Sequence, residues 1–391
     1  MRPVRVPGAY TNEICLRESE VVDRSTVPAF DFPRRVAAVR NALDGRTMLL
    51  SHRTNICWLT GFGGSLGWVV IGPDRFALIT DGRYGERAAA GLAEAQLEAE
   101  LVVRTSRPEL AEAVTATASG PASVLAEAEH LSHAAWGDLA EQFPIEPAGG
   151  VVESLRRVKD AGELARMTLA ADIADRTLVE VAPMLDHRPT EADVRTELEY
   201  RMRRNGADGP SYDTIVASGP QNAARPHHNT GDRTIGEGDT VIIDVGALVD
   251  GYHSDMTRTF VVGAADARQN EIYDVVRDAQ AAGLSAVRSG VAAADVDAAC
   301  RAVFRHAGLE DWFIHGTGHG VGLDIHEDPF SSPVSTAELL VGDVVTVEPG
   351  LYRDGFGGVR IEDLVAVTAT GCELLTHLSK DAPCLPSLPT T

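Results

Sequence analysis

The chain has 391 residues, 44% hydrophobic and 24% charged, with a net charge of −22. That length suits two domains with sizeable cores, and the composition excludes a disordered, collagen-like or disulfide-stapled chain. The acidic balance argues against nucleic acid and anionic membrane as partners, since both call for a basic face.

No run reaches the ~18 apolar residues of a membrane span, and the start, MRPVRVPGAYTNE, lacks the apolar core of a signal peptide. The cysteines (Cys15, Cys57, Cys300, Cys372 and Cys384) are scattered and form no CxxC pair, so they read as reduced thiols in a cytoplasm. Lys159 and Lys380 are the only lysines. There is no GxxxxGK phosphate loop, and a Schiff-base lysine has almost no candidates.

Residues 1–30 read as a polar arm. From 32 to 152 short strands and helices alternate: strands at 47–51, 67–71, 75–80, 101–104 and 123–127, helices at 83–95, 108–118 and 132–142. This is an α/β domain. Glu146-Pro147-Ala148-Gly149-Gly150 reads as a linker, which places the division between a domain of residues 1–155 and another of residues 156–391. The second domain begins with long helical patterns at 161–185 and 190–205, the latter opened by Thr190 with Asp193 as a capping pair. Strands follow at 240–246 and 254–262, helices at 266–289 and 294–307, and strands at 344–347 and 359–367.

An internal repeat emerges. Gly238-Asp239-Thr240-Val241-Ile242-Ile243-Asp244-Val245-Gly246 parallels Gly342-Asp343-Val344-Val345-Thr346-Val347-Glu348-Pro349-Gly350, and an Asp-Gly turn follows each at the same offset, Asp250-Gly251 and Asp354-Gly355. Two helices and a hairpin, repeated, imply a pseudo-twofold α+β domain whose hairpins meet. Asp244, Asp255, Glu348 and Glu362 are then expected on strands, two acids per hairpin, converging. Convergent carboxylates repel unless protons or cations intervene. Oxygen-rich ligation with one nitrogen suits Mn(II) or a similar divalent ion. The nitrogen is sought in His315-Gly316-Thr317-Gly318-His319-Gly320-Val321-Gly322, whose alternating glycines forbid a helix and fit an extended strand. His319, at the centre of the glycines, is the ligand of choice.

The ordered motifs IDVG, SDMTRT, GTGHGVG, VEPG and RIED resemble those of the dinuclear peptidases of the pita-bread fold, which include methionine aminopeptidases, Xaa-Pro aminopeptidases and prolidases. The resemblance covers about 160–370. Through TNICWLTGFGGS and LITDGRY it extends to a smaller creatinase-like α/β N-terminal domain of the proline-specific branch. It implies two divalent metal ions, Mn2+ ahead of Co2+ or Zn2+. Asp244 would bind one, Asp255 and Glu362 would bridge both, and His319 and Glu348 would complete the other. Glu348 would also shuttle a proton. His227 and His326 match substrate-side histidines, and Arg360 matches an arginine near the last bridging acid. His315 matches a pocket histidine or packs in the core. His228 reads as a surface neighbour of His227.

The implied reaction is hydrolysis of the bond between an N-terminal residue and a following proline, with an Xaa-Pro dipeptidase as the alternative. Phe330 stands where some prolidase-like sequences carry arginine, which favours the aminopeptidase unless another arginine, such as Arg353 or Arg360, supplies that charge. Two other classes compete. Gly63-Gly64-Ser65-Leu66-Gly67 fits the GxSxG of serine hydrolases, but a strand-like run follows where a nucleophile elbow needs a helix. A non-catalytic peptide-binding relative would have lost a ligand, and none is lost. A homodimer is expected, with the first domain walling the cleft; Trp58 is either a cleft aromatic or a core residue.

Overall fold

The computed structural model describes residues 24–120 and 122–383. Most of the expected arm therefore lies outside the described residues, as do Cys15 and Cys384.

The N-terminal half is built on β1 (Thr47–Leu50), β2 (Gly67–Ile71), β3 (Phe76–Asp81), β4 (Glu100–Arg104), β5 (Val124–Glu127) and β6 (Ile145–Ala148), ordered β4-β3-β2-β1-β5-β6. β1, β5 and β6 run parallel to one another. Alternate side chains feed two cores: Met48 and Leu50 join one face, Leu49 the other. The helices are α1 (Phe32–Leu43), α2 (Arg53–Thr60), α3 (Gly85–Glu94), α4 (Arg107–Ala118), α5 (His133–Ala140) and α6 (Val151–Arg156). Asp31 caps α1 through the Arg34 amide, and Ser106 and Glu109 form a capping box on α4. The supposed linker at 146–150 is largely strand: β6 is a sheet edge, where Pro147 costs little because it has no ladder hydrogen bond to lose on its open side.

The C-terminal half repeats one plan twice. Helices α7 (Ala161–Val181) and α8 (Glu191–Arg204) precede β7 (Gly209–Pro210), β8 (Ile215–Ser218), the one-turn α9 (Gly219–Asn222), β9 (Thr240–Val245), β10 (Ala247–Val249), β11 (Tyr252–His253) and β12 (Met256–Val261). Helices α10 (Ala267–Ala286) and α11 (Ala293–His306) precede β13 (Gly318–Gly320), β14 (Glu327–Ser331), β15 (Val344–Val347), β16 (Gly350–Arg353), β17 (Gly357–Arg360), β18 (Asp363–Val367) and β19 (Cys372–Leu374). Each helix pair covers its own hairpin. Leu178, Val194 and Leu198 pack on Val241, Ile243 and Val245; Ile272, Val276 and Val296 pack on Val345, Val365 and Val367.

In both repeats the hairpin is broken midway without losing register. β9 pairs β12 with Asp244 opposite Thr257, and β10 pairs β11 beyond the break. β15 pairs β18 with Val347 opposite Asp363, and β16 pairs β17 with Gly350 opposite Arg360. The breaks have local causes. At Gly246 any Cβ would strike the Ser254 carbonyl oxygen, and Pro349 has no amide to give the ladder. Four acids on strands were expected, but only Asp244 is within one; Asp255, Glu348 and Glu362 sit at the breaks. A broken ladder frees a side chain to point along the sheet as well as out of it.

The halves are locked together by buried charge. Arg35 donates to Asp160, the α7 N-cap, at 2.9 Å and to the Trp58 carbonyl at 2.9 Å. Trp58 is buried, and its Nε1 donates to Glu163 at 3.0 Å. It is a core residue bridging the two halves, not a cleft aromatic. Arg156 reaches the turn at 324–327 through Asp324 at 2.8 Å and Glu327, and Thr54 adds a hydrogen bond to Asp324 at 3.0 Å. The N-terminal half thus clamps the turn that carries His326.

Candidate metal centre

The two broken hairpins meet at a cleft of about 610 Å³ whose lining includes Asp244, Asp255, His319, Glu348, Glu362, Arg360, His227 and His326. All eight sequence-predicted residues are brought to one place. One donor atom each from Asp255, His319 and Glu362 lies within 4.8 Å of the other two. His319 Nε2 stands 3.6 Å from both Asp255 Oδ2 and Glu348 Oε1. Asp244 joins through Tyr212, whose hydroxyl contacts Asp244 Oδ1 and Asp255 Oδ1 at 2.5 Å each, while Asp244 Oδ2 accepts from Arg360 at 2.6 Å.

The backbone holds His319 in place. β13 lies between β14 and β15, and a Cβ at Gly318 would strike the Thr346 carbonyl oxygen, one at Gly320 the Asp328 carbonyl oxygen. The glycines therefore admit neighbouring strands, and the imidazole is carried between them. Its Nδ1 lies 3.0 Å from the Gly320 carbonyl oxygen. A carbonyl can only accept, so the proton is on Nδ1 and the Nε2 lone pair faces the acids.

Electrostatics single out the same atoms. Burial, then the charge of Asp244, lifts the Asp255 carboxyl well above its ordinary range. Burial, then the charge of Asp255, does the same to Glu362. Burial pushes Glu348 up to about 8, against the pull of Arg360, and pushes the His319 imidazole down to about 4. Acids so placed do not ionise together unless cations join them. Carboxylate oxygens with a single imidazole fit a hard or borderline divalent ion, so these residues could hold metal.

The residues around them are hydrogen-bonded supports. Thr257 donates to Glu362 at 2.7 Å, and Arg360 Nε donates to Thr257 at 2.9 Å. Arg360 also donates to the Tyr352 hydroxyl at 2.9 Å and to the Pro226 carbonyl at 3.0 Å, next to His227. His315 has both ring nitrogens engaged, with the Gly316 carbonyl at 2.7 Å and the Tyr352 hydroxyl at 3.1 Å. His326 is exposed to the cleft, its ring centroid 4.4 Å from that of His319. His228 is not the surface neighbour expected: its Nε2 donates to the fully buried Glu191 at 3.0 Å, which fixes the loop carrying His227.

Residues 165–369 match metallopeptidase family M24, and residues 35–158 match the creatinase/prolidase N-terminal domain. The chain belongs to the M24 metallopeptidases. It is 38% identical over 344 residues to an uncharacterised peptidase of Bacillus subtilis, covering 87% of this chain and 95% of that one. Among solved structures it resembles an Xaa-Pro dipeptidase from Bacillus anthracis, with TM-score 0.85, 35% identity, and 90% of this chain and 100% of that one covered. An X-Pro aminopeptidase from Thermotoga maritima aligns with TM-score 0.79 and 30% identity over 88% of this chain and 98% of that one. The fold is the pita-bread domain behind a creatinase-like α/β domain, as the motifs imply.

Against the M24 background the serine-hydrolase reading fails. Ser65 precedes β2 rather than a helix, and its Oγ lies 2.7 Å from the Tyr84 hydroxyl. Sequence reasoning missed Tyr212, Thr257 and the Arg156 clamp. Tyr212 is in a loop outside the motifs, and Thr257, though inside SDMTRT, gives no sign in the sequence that it reaches Glu362. Their placement shows only once the hairpins are paired.

Proposed function

We propose that this M24 peptidase removes the first residue from peptides whose second residue is proline. Asp244, Asp255, His319, Glu348 and Glu362 hold two divalent ions, Mn2+ foremost, with Co2+ or Zn2+ able to substitute. The observation that carries the reading is the buried carboxylate–imidazole cluster at the base of an open cleft, flanked by His227 and His326. Bound divalent metal supplies an activated water and polarises the scissile carbonyl. His227 and His326 donate to the carbonyl oxygen as negative charge builds there. Glu348, beside His319 and within the cluster, carries a proton toward the leaving nitrogen. Arg360 holds Asp244 in register and keeps the His227 loop close. Proline's ring nitrogen has no N–H to bind, so shape must select it; Ile215, Ile325 and Phe330 give the cleft an apolar wall.

The choice of aminopeptidase over dipeptidase rests on charge. Among the described residues lining the cleft, Arg360 is the sole lysine or arginine, and its guanidinium is already engaged by Asp244, Tyr352 and Pro226. That leaves no fixed cation to grip the carboxylate of a dipeptide. Phe330, half-exposed on the cleft wall, offers only apolar surface. Relatives bear both names, dipeptidase and aminopeptidase. A cleavage panel of Xaa-Pro against Xaa-Pro-Xaa-Xaa with Mn2+ added tests it. Faster turnover of the longer peptides is expected; cleavage of dipeptides alone assigns a dipeptidase, and no cleavage with any divalent ion overturns the reading.

The same proposal divides the chain near residue 155 and places it in a cytoplasm as a homodimer. Free thiols at Cys57, Cys300 and Cys372 suit a reducing compartment, and no helix among the described residues is long and apolar enough to cross a membrane. Light scattering checks the dimer.

A further inference from the structure

A second group of donors lies in the N-terminal half, away from the cleft. His52 follows β1, His130 follows β5, and Glu153 lies on α6 after β6. These three strands are adjacent and parallel, so the segments leaving them emerge on one edge of the sheet. The carboxyl edge of parallel strands is where open α/β sheets place their ligands.

The three side chains converge. One donor atom from each lies within 4.8 Å of the other two. The imidazoles of His52 and His130 are stacked, centroids 3.6 Å apart and planes 2° from parallel. His130 Nε2 and Glu153 Oε1 are 3.1 Å apart. In a tetrahedral site with bonds of about 2 Å, donors stand roughly 3.3 Å apart, so one edge of such a site is already formed. A shared ion lies in the plane of each ring, so the exposed His130 ring must turn out of the stack for His52 to join.

The surroundings prepare the group for a cation. His52 Nδ1 is buried and has no hydrogen-bond partner. The His52 backbone is pinned by its amide to the buried Glu127 at 2.7 Å. Asn55 Nδ2 bridges Glu127 and Glu153 at 2.7 and 2.5 Å, which orients the Glu153 carboxylate. Burial, then the neighbouring His130, holds His52 below the usual imidazolium range, so its ring keeps a free lone pair near neutrality.

We propose that His52, His130 and Glu153 form a metal site, separate from the cleft, that takes Zn2+ or a similar borderline divalent ion. Two imidazoles and one carboxylate leave a fourth position for water. On binding, the ion takes the place of any proton between His130 Nε2 and Glu153, and that proton moves to His130 Nδ1 or leaves to solvent. The site touches the clamp on the 324–327 turn: Arg156 Nη1 donates to Asn55 Oδ1 at 2.7 Å and its Nη2 to Asp324 at 2.8 Å. An ion there stiffens the N-terminal side of that clamp.

The test is a calorimetric titration of Zn2+ into the whole chain, with elemental analysis, in four forms: wild type, His130→Gln, Asp255→Asn and the double variant. His130 is exposed, so its replacement leaves the fold intact, which circular dichroism verifies. The site predicts one equivalent of Zn2+ per chain fewer in His130→Gln than in wild type. The same equivalent persists in Asp255→Asn and disappears from the double variant. Added Zn2+ should also raise the melting temperature of Asp255→Asn but not of the double variant. Equal Zn2+ counts with and without His130 overturn the proposal, whatever the cleft binds.

Discussion

The two hairpins of the catalytic half have the same scaffold and different charge. Register equates Asp244 with Glu348, Thr257 with Glu362, and Asp255 with Arg360. The first hairpin therefore contributes two acids and a hydroxyl, the second two acids and a guanidinium. Where the hairpins touch, unlike groups meet: Thr257 donates to its mate Glu362, and Arg360 donates to Asp244, which is the mate of Glu348. A duplicated backbone has been filled asymmetrically. One internal cation offsets part of the negative charge, and the remainder is what a bound metal would have to balance.

The sharpest way to break the comparison is to remove an acid that has no internal counter-charge. Asp255→Asn should lower kcat/KM by more than about 100-fold, beyond the loss of a supporting contact, and reduce metal content, with circular dichroism unchanged. Removing the internal cation acts on stability instead. Arg360→Met leaves Asp244 buried without its partner and should cost about 3–5 kcal/mol in urea unfolding with chelator present. Saturating Mn2+ should shrink that penalty; an equal penalty with and without metal would mean that Arg360 and metal do not share the acids. Thr257→Val removes only the hydroxyl between the hairpins, and an activity loss of about 10-fold is expected, with metal still bound.

The smallest effect concerns charge outside the cleft, where the same contrast recurs. Asp363 is fully buried, yet Arg258 and Lys380 overcome burial and hold its carboxyl down at about 2. Asp175 is lifted to about 6 by burial, against weaker help from Arg258 and the amides of His377 and Leu378. The two shifts have opposite signs in pH. Asp363 stabilises the fold fully above its unfolded value of about 3.9, and that contribution is lost as pH falls toward 2. Asp175 stabilises through its protonated form, below about 3.9, and that contribution is lost as pH rises through 6. Unfolding at pH 4, 5, 6 and 7 should thus show Asp175→Asn gaining on wild type as pH rises, by on the order of 2–3 kcal/mol. Asp363→Asn should show no such gain.

The repeat was legible because Gly-Asp openings, strand runs and Asp-Gly turns survive duplication as spacing. The helix ends were legible too: Thr190 caps α8 with Asp193 as the sequence implies. What spacing could not show was pairing. The resemblance gives Asp255 and Glu362 the same bridging role, yet they are not register mates; that distinction exists only across strands. β6 was hidden by Pro147, which marks a turn in isolation and is tolerated on an edge. α1 and α2 were passed over because arginines, asparagine and β-branched residues blur their periodicity. Trp58 lay beyond sequence reasoning, since its partner Glu163 is 105 residues away.

The unbroken register through each interrupted hairpin has a further meaning. Along 358–363 even-numbered positions look toward the cleft and odd-numbered ones toward the helices: Arg360 lines the cleft, while Val359 and Ile361 belong to the core beneath α10 and α11. Chemistry and folding are written on one strand in alternate letters. Losing a single residue from the turn at 354–356 would exchange the two readings, burying Arg360 and Glu362 in hydrocarbon and offering Ile361 to the cleft. Point substitutions there can be graded in effect, but insertions and deletions cannot. Length changes in this family should therefore be confined to segments outside the hairpins, a pattern that an alignment of M24 sequences can check directly.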